Sequence, residues 1–201
     1  MDIPLPSTYD LWCFDVHDVK ETTEETFFEK IRKTIKIKTL ADLVTFYSNF
    51  KKPKSMPGNC EVYLFKENIK PLWEDEKNIG GGSFFLHIKK TFANKIWENL
   101  LISVVSESEP ELKCINGVIM RIQRLEVVFF VWTSKLKKCD EIKLIQWLKD
   151  TAGLSSKIKL EFKPHPKQAD KDEEKEIPVK TEITLPNNKK PFGKFDSDDG
   201  L

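Results

Sequence analysis

The chain has no CxxC pair; its cysteines, Cys13, Cys60, Cys114 and Cys139, are spread at wide, irregular intervals. Neither a zinc ribbon nor a disulfide framework is signalled, so reduced thiols are expected. Only three histidines occur, His17, His87 and His165, and no pair of them has metal-ligand spacing. No metal and no cofactor are expected. Neither sign of charge prevails: 33 Lys and Arg face 32 Asp and Glu, a formal net charge of +1. A global field that draws the protein to nucleic acid or membrane is excluded, and any polyanion site must be local. No apolar run approaches the roughly 20 residues of a membrane-spanning helix. The opening residues, MDIPLPSTYD, lack the basic-then-apolar pattern of a secretory signal. The expected protein does not engage membrane and is cytoplasmic, with a nuclear location also compatible. No repeat is visible.

What is present suits one globular domain: 201 residues, 39% hydrophobic and 11% aromatic. The aromatic segment Tyr9 to Val16 reads as a strand, followed by the polar loop ETTEET. Ile31, Ile35 and Ile37 alternate with charges, the period of a half-buried strand. Thr39 and Asp42 form an N-cap signature, and Leu40, Leu43, Val44, Tyr47 and Phe50 then recur at helical spacing, with Pro53 as the stop. EVYLF and SFFLHIKK read as strands. Asn94 is placed to cap a second helix with the stripe Ile96, Trp97, Leu100, Leu101 and Val104. NGVIMRI and EVVFFVWTS are separated by so few residues that an antiparallel hairpin is required. Asp140 opens a third helix that Gly153 caps, and KIKLEFK is the last strand. From Pro164 the chain is too polar to order itself by burial. The predicted organisation is a flexible arm over 1–8, a domain over 9–163 and a polar, disordered tail over 164–201. The fold class is α+β: an antiparallel sheet of about six to eight strands with three helices on one face.

Chemistry-bearing residues are few. GGGS at 80–83 lacks the GxxxxGK[ST] spacing and runs into a strand instead of a helix, which excludes a nucleotide P-loop and a dinucleotide fingerprint. WCFDVHD places Cys13, Asp15 and His17 on one strand face, but no second cluster completes a hydrolytic site. Catalytic residues are therefore not assigned. Trp97 and Trp147 lie on helical stripes and read as core, while Trp132 ends a strand that is apolar on both faces. Trp73 differs, because it follows Pro71 in a loop outside any stripe. The plainer reading folds it back onto the core. The sharper one couples it to Glu74: an aromatic face attracts a cation, and a neighbouring carboxylate accepts from ring N–H groups. A positively charged purine meets both demands.

SMPGNCEVYLFKENIKPLWEDEKNIGGG resembles the hallmark segment of the eukaryotic translation initiation factor 4E family. PLPSTYDLWCF, TLADLVTFY, IWENLLISVVSE, GVIMRI with VWTS, and GLSSKIKLEF match in the same order. The resemblance implies a curved antiparallel sheet backed by three helices, with a slot on the concave side for the 7-methylguanosine cap of messenger RNA. It implies that Trp73 stacks on the methylated guanine, Glu74 accepts from its N–H groups and Trp132 contacts its methyl group. Arg121 would bind the cap phosphates with its bidentate fork. The second stacking ring falls on Phe27, with Phe28 as a competing assignment after a five-residue expansion between Trp12 and Phe27. Arg124 is the further phosphate candidate, with Lys135, Lys137 and Lys138 in the following loop. Ser83 stands where many members have an arginine beside the phosphate path.

The resemblance further implies a partner face on the helices, for a 4G-type scaffold or a competing 4E-binding protein. Pro4, Leu5, Leu40 and Ile102 keep its apolar character; Val44 stands where a tryptophan is usual, and Asn99 where a glutamate is. Two roles follow for a non-enzymatic chain: recruiting capped mRNA for initiation, or repressing translation by holding the cap without the usual scaffold.

Overall fold

A computed structural model describes residues 2–15, 31–154, 160 and 162–166. The strands are β1 (Pro4–Asp15), β2 (Arg32–Thr39), β3 (Cys60–Lys66), β4 (Gly82–Lys89), β5 (Ile115–Ile122), β6 (Glu126–Thr133) and β7 (Phe162–Pro164). They form one seven-stranded sheet in the order β2-β1-β3-β5-β6-β4-β7, with every neighbour antiparallel. The helices are α1 (Leu40–Asn49), α2 (Ala93–Ser106) and α3 (Lys138–Ala152).

Alternation decides what each face carries. Val62 and Leu64 of β3, Val118 and Met120 of β5, and Phe129 and Val131 of β6 point to the helices. There they meet the α2 stripe of Ile96, Trp97, Leu100, Leu101 and Val104 that the sequence predicts. Trp97 is fully buried and stacks on Phe129, with centroids 6.2 Å apart and planes 7° apart. The intervening residues face the other way and form a second apolar layer. Both faces of the sheet are thus in use, one for stability and one for a floor.

Helix ends follow local chemistry in two cases and not in a third. Thr39 and Asp42 form the expected reciprocal capping box. Gly153 closes α3 in the left-handed conformation, φ 62°. Asn94 does not cap α2: the helix starts at Ala93 without a side-chain cap, and Asn94 Oδ1 instead accepts from the Lys54 N–H at 2.9 Å. Likewise α1 ends at Asn49 before Pro53, and Asp140 sits within the first turn of α3 instead of ahead of it.

The chain is ordered further than expected at both ends of the domain. β1 begins at Pro4, which pairs with Thr39, and the Leu40 N–H donates to the Ile3 carbonyl at 2.8 Å. Residues 4–8 are therefore strand and not a flexible arm. Pro164 belongs to β7 and His165 is 8% exposed, so the expected tail begins too early. An imidazole with buried partners anchors what composition marks as polar.

Candidate functional site

The floor of the second face is aromatic. Trp12, Phe14, Tyr63, Phe65 and Trp132 cluster with Ile31, Ile69 and Ile119, and Phe130 lies alongside. Phe65 meets Trp12 at 6.5 Å and Trp132 at 5.5 Å in T-shaped contacts, tying the two indoles through one ring. Gly117 is required beneath it: a Cβ there would come within 2.4 Å of the Phe65 ring. Trp132 is 9% exposed, and its Nε1 has no hydrogen-bond partner among the described residues.

The rim is the loop between β3 and β4, held by two polar side chains. Asp75 accepts from the backbone N–H groups of Lys70 at 2.9 Å and Lys77 at 3.0 Å. Asn78, fully buried, donates to the carbonyls of Lys70 at 2.9 Å and Leu72 at 2.7 Å. Asn116 of β5 then donates to Asn78 Oδ1 at 2.9 Å and to the Lys77 carbonyl at 2.7 Å. Between these anchors Trp73 stands 38% exposed, outside both apolar clusters. Its Nε1 donates to Glu74 Oε1 at 2.6 Å. The loop tryptophan is not folded onto the core, and the carboxylate beside it is held at its ring edge.

His165 joins the rim to the floor. Its Nδ1 lies 2.9 Å from the Asn78 carbonyl oxygen and its Nε2 3.1 Å from Ser83 Oγ, and its backbone N–H donates to Gly81 O at 3.0 Å. Burial holds its pKa below the ordinary imidazole value, against the opposing effect of the Asn78 carbonyl. The same ring contacts Trp132.

Arg121 projects from β5 onto the floor face. Its Nε pairs with Glu61, directly opposite on β3, and its guanidinium lies 4.9 Å from the Phe130 centroid. Glu61 is 7% exposed and also accepts from the Tyr63 hydroxyl. Burial, then the Glu61 charge, pushes the Tyr63 pKa up, so that hydroxyl stays a donor.

The family model of eukaryotic initiation factor 4E matches residues 4–180. The chain belongs to the initiation factor 4E family. It is 30% identical over 171 residues to eukaryotic translation initiation factor 4E of Candida albicans, covering 81% of this chain and 79% of that protein. It is 26% identical over 166 residues to translation initiation factor NCBP of Oryza sativa subsp. japonica, covering 81% and 71%. Similar solved structures include C. elegans eIF4E-3 with the 4E-binding protein Mextli and a cap analog, at TM-score 0.75 and 22% identity, covering 82% of this chain and 94% of that one. Ascaris suum eIF4E-3 with the m7G cap has TM-score 0.74 and 24% identity, covering 83% and 93%. These structural likenesses establish the 4E fold.

Within this 4E fold, Trp73, Glu74 and Trp132 are linked through Asn78 and His165, and Arg121 lies on the same face. Arg124 is not gathered with them: it is exposed on the β5–β6 turn, lining an open pocket with Pro57, Gly58, Asn59 and Lys90. Ser83 is 4% exposed and bonded to His165, which makes it a buried brace. Lys135 lies on the rim, its Cδ 3.9 Å from a Cβ built on Gly80. Phe27, Phe28 and His17 fall outside the described residues. Cys13 packs on the helix side and burial raises its thiol pKa, which leaves it inert. No metal-binding group occurs among the described residues.

On the helical side, Leu40 and Val44 are exposed one turn apart on α1, and Ile102 is exposed on α2. Pro4 is exposed, while Leu5 packs partly on the core. Asn99 is occupied: its Nδ2 donates to the Thr151 carbonyl at 2.8 Å, bridging α2 to the end of α3. Sequence reasoning misses Glu61, Asn78, Asn116, His165 and the exposed Ile3. For Glu61 a signal exists, since it shares its strand face with Tyr63 and Phe65.

Proposed function

We propose that this chain is a non-enzymatic factor that binds the 7-methylguanosine 5′ cap of mRNA and recruits it for translation initiation. The observation that carries it is the Trp73–Glu74 pair: a part-exposed indole and an acceptor carboxylate on one braced loop, beside a floor that ends in Trp132. A cationic guanine has a π face for Trp73 and N–H donors for Glu74. Because Glu74 accepts from the Trp73 indole in the free protein, the base must exchange with that bond. Trp132 would receive the methyl group. Arg121 would meet the phosphates with the part of its guanidinium that Glu61 does not hold, and Arg124 lies further along. Phe27, or Phe28, would close the stack.

The test is a tryptophan-fluorescence titration with 7-methyl-GTP and with GTP, on wild type, Trp73→Ala and Glu74→Gln. Preference for the methylated ligand, lost in both variants, supports the reading; equal quenching by both ligands in wild type removes it.

A second reading, a cap-holding repressor, is favoured by Asn99 and Val44. The Asn99 amide is spent on Thr151, and Val44 offers far less apolar area than an aromatic ring. Ile3, Pro4, Leu5, Leu40, Val44 and Ile102 would still form an apolar seat for an amphipathic helix of a 4G-type scaffold or 4E-binding protein. Retention of a 4G-type peptide by wild type, lost in Val44→Asp, decides for recruitment.

A further inference from the structure

Three connecting stretches meet at the end of the sheet away from Trp132. The Asn59 N–H donates to the Ile122 carbonyl at 2.8 Å and the Lys90 N–H to the Leu125 carbonyl at 3.1 Å. Lys90 Nζ donates to the carbonyls of Met56 at 2.8 Å and Gln123 at 3.3 Å. The stretches KKPKSMPGN, KKTF and QRLE together hold six cations and one acid, Glu126, in a chain whose net charge is +1. That one acid faces His87, 3.5 Å away. Lys52 is spent on the Tyr47 carbonyl and ring, and Lys90 on its two carbonyls. Lys51, Lys54, Lys89 and Arg124 are exposed and form no ion pair among the described residues. Beside them Phe92 is 55% and Leu125 79% exposed, and Lys90 and Arg124 line an open pocket of about 330 Å³ with Pro57, Gly58 and Asn59.

We propose that this surface binds the first RNA nucleotides after the cap. The inference rests on the cap reading, which sets the direction. Trp132 pairs with Gly117, and Arg121 with Val128, four residues along β6 and so about 13 Å away at strand rise. The turn that carries Arg124 lies about 10 Å beyond that by the same rise. A chain held by its base at Trp132 and by its phosphates at Arg121 is delivered to this turn. Single-stranded RNA requires cations for its backbone and an exposed ring for its bases, and Phe92 among unpaired lysines supplies both. The excess of cations over acids favours a polyanion over a protein partner.

The test compares 7-methyl-GTP, GTP, a capped RNA of about 12 nucleotides and the same RNA uncapped, at two salt concentrations. Wild type and two variants, Lys54→Glu with Lys89→Glu, and Phe92→Ala, are used; all three positions are exposed. Capped RNA should bind wild type about ten-fold more tightly than 7-methyl-GTP at low salt, with a salt slope steeper by about 0.7 per phosphate neutralised. Both variants should keep wild-type affinity for 7-methyl-GTP and lose most of the RNA gain. Equal affinity of wild type for capped RNA and 7-methyl-GTP, or variants that keep the gain, overturns the inference and leaves the surface to a protein. If wild type fails to prefer 7-methyl-GTP over GTP, the cap reading alone falls. The uncapped RNA then judges this surface: binding that the lysine reversals abolish upholds it, and no binding overturns it.

Discussion

His165 lies against Trp132 with ring centroids 4.3 Å apart and planes at 47°. The same imidazole holds the loop that presents Trp73, through the Asn78 carbonyl, and the start of β4, through Ser83. One residue beyond the last strand therefore positions both indoles of the candidate slot.

His165→Ala should weaken 7-methyl-GTP binding by about five-fold, since two hydrogen bonds of ordinary strength are lost behind the site. Ser83→Ala, which removes one of them, should cost about two-fold. Fluorescence titrations beside thermal melts check this; melting temperatures that fall with unchanged affinity would show a purely structural role.

Stability should depend on pH through the same ring. His165 has a lowered folded pKa, so the unfolded chain binds the proton more readily. Its contribution is then complete well above the unfolded value of about 6.5 and is lost as pH falls through it toward the folded pKa. Urea unfolding at pH 7.5 and 5.5 should show a smaller pH difference in His165→Gln than in wild type. An equal difference would exclude His165 as the source.

Trp73→Ala should lower cap affinity at least about five-fold, as loss of one base–aromatic stack costs roughly 1–3 kcal/mol. Phe27→Ala and Phe28→Ala, titrated in parallel, identify the second ring: only the one that stacks should match Trp73→Ala.

Glu61→Ala removes the bond from the buried Tyr63 hydroxyl and unpairs Arg121. A loss of about 2 kcal/mol is expected from these two lost interactions, read as a lower urea midpoint. Tyr63→Phe should cost less, because it removes the donor with the bond.

Gly81 and Gly80 should respond differently to alanine. A Cβ on Gly81 would lie 1.9 Å from the Thr133 carbonyl oxygen, so backbone must move, at a cost of about 2 kcal/mol or more. At Gly80 there is room, and only its φ of +73° opposes a side chain, at about 1 kcal/mol. Thermal melts of the two variants test the order.

Much of the fold was legible because its signals are local. Alternation of Ile35 and Ile37 with charges marked β2, short runs rich in β-branched and aromatic residues marked β5 and β6, the Thr39–Asp42 pair marked the start of α1, and the Ile96 to Val104 stripe marked the buried face of α2. Where a residue had competing partners the local signal failed. Asn94 carries a good capping side chain, yet a backbone N–H forty positions earlier uses it. Pro4 to Thr8 carry no strong strand pattern, yet Pro4 finds a partner in Thr39 of β2 and the Thr8 carbonyl one in the Glu67 N–H.

By itself the sequence determined which side chains share a face, and it marked Trp73 as an aromatic outside any stripe and Glu74 as its acid. Those properties depend on neighbours two to four positions away. Only the tertiary structure decided that Glu61 holds Arg121, that Asn78 braces the rim, and that His165 closes on Ser83 across 82 positions. Such contacts depend on strand order and register, which the whole sheet sets and no short window of sequence contains.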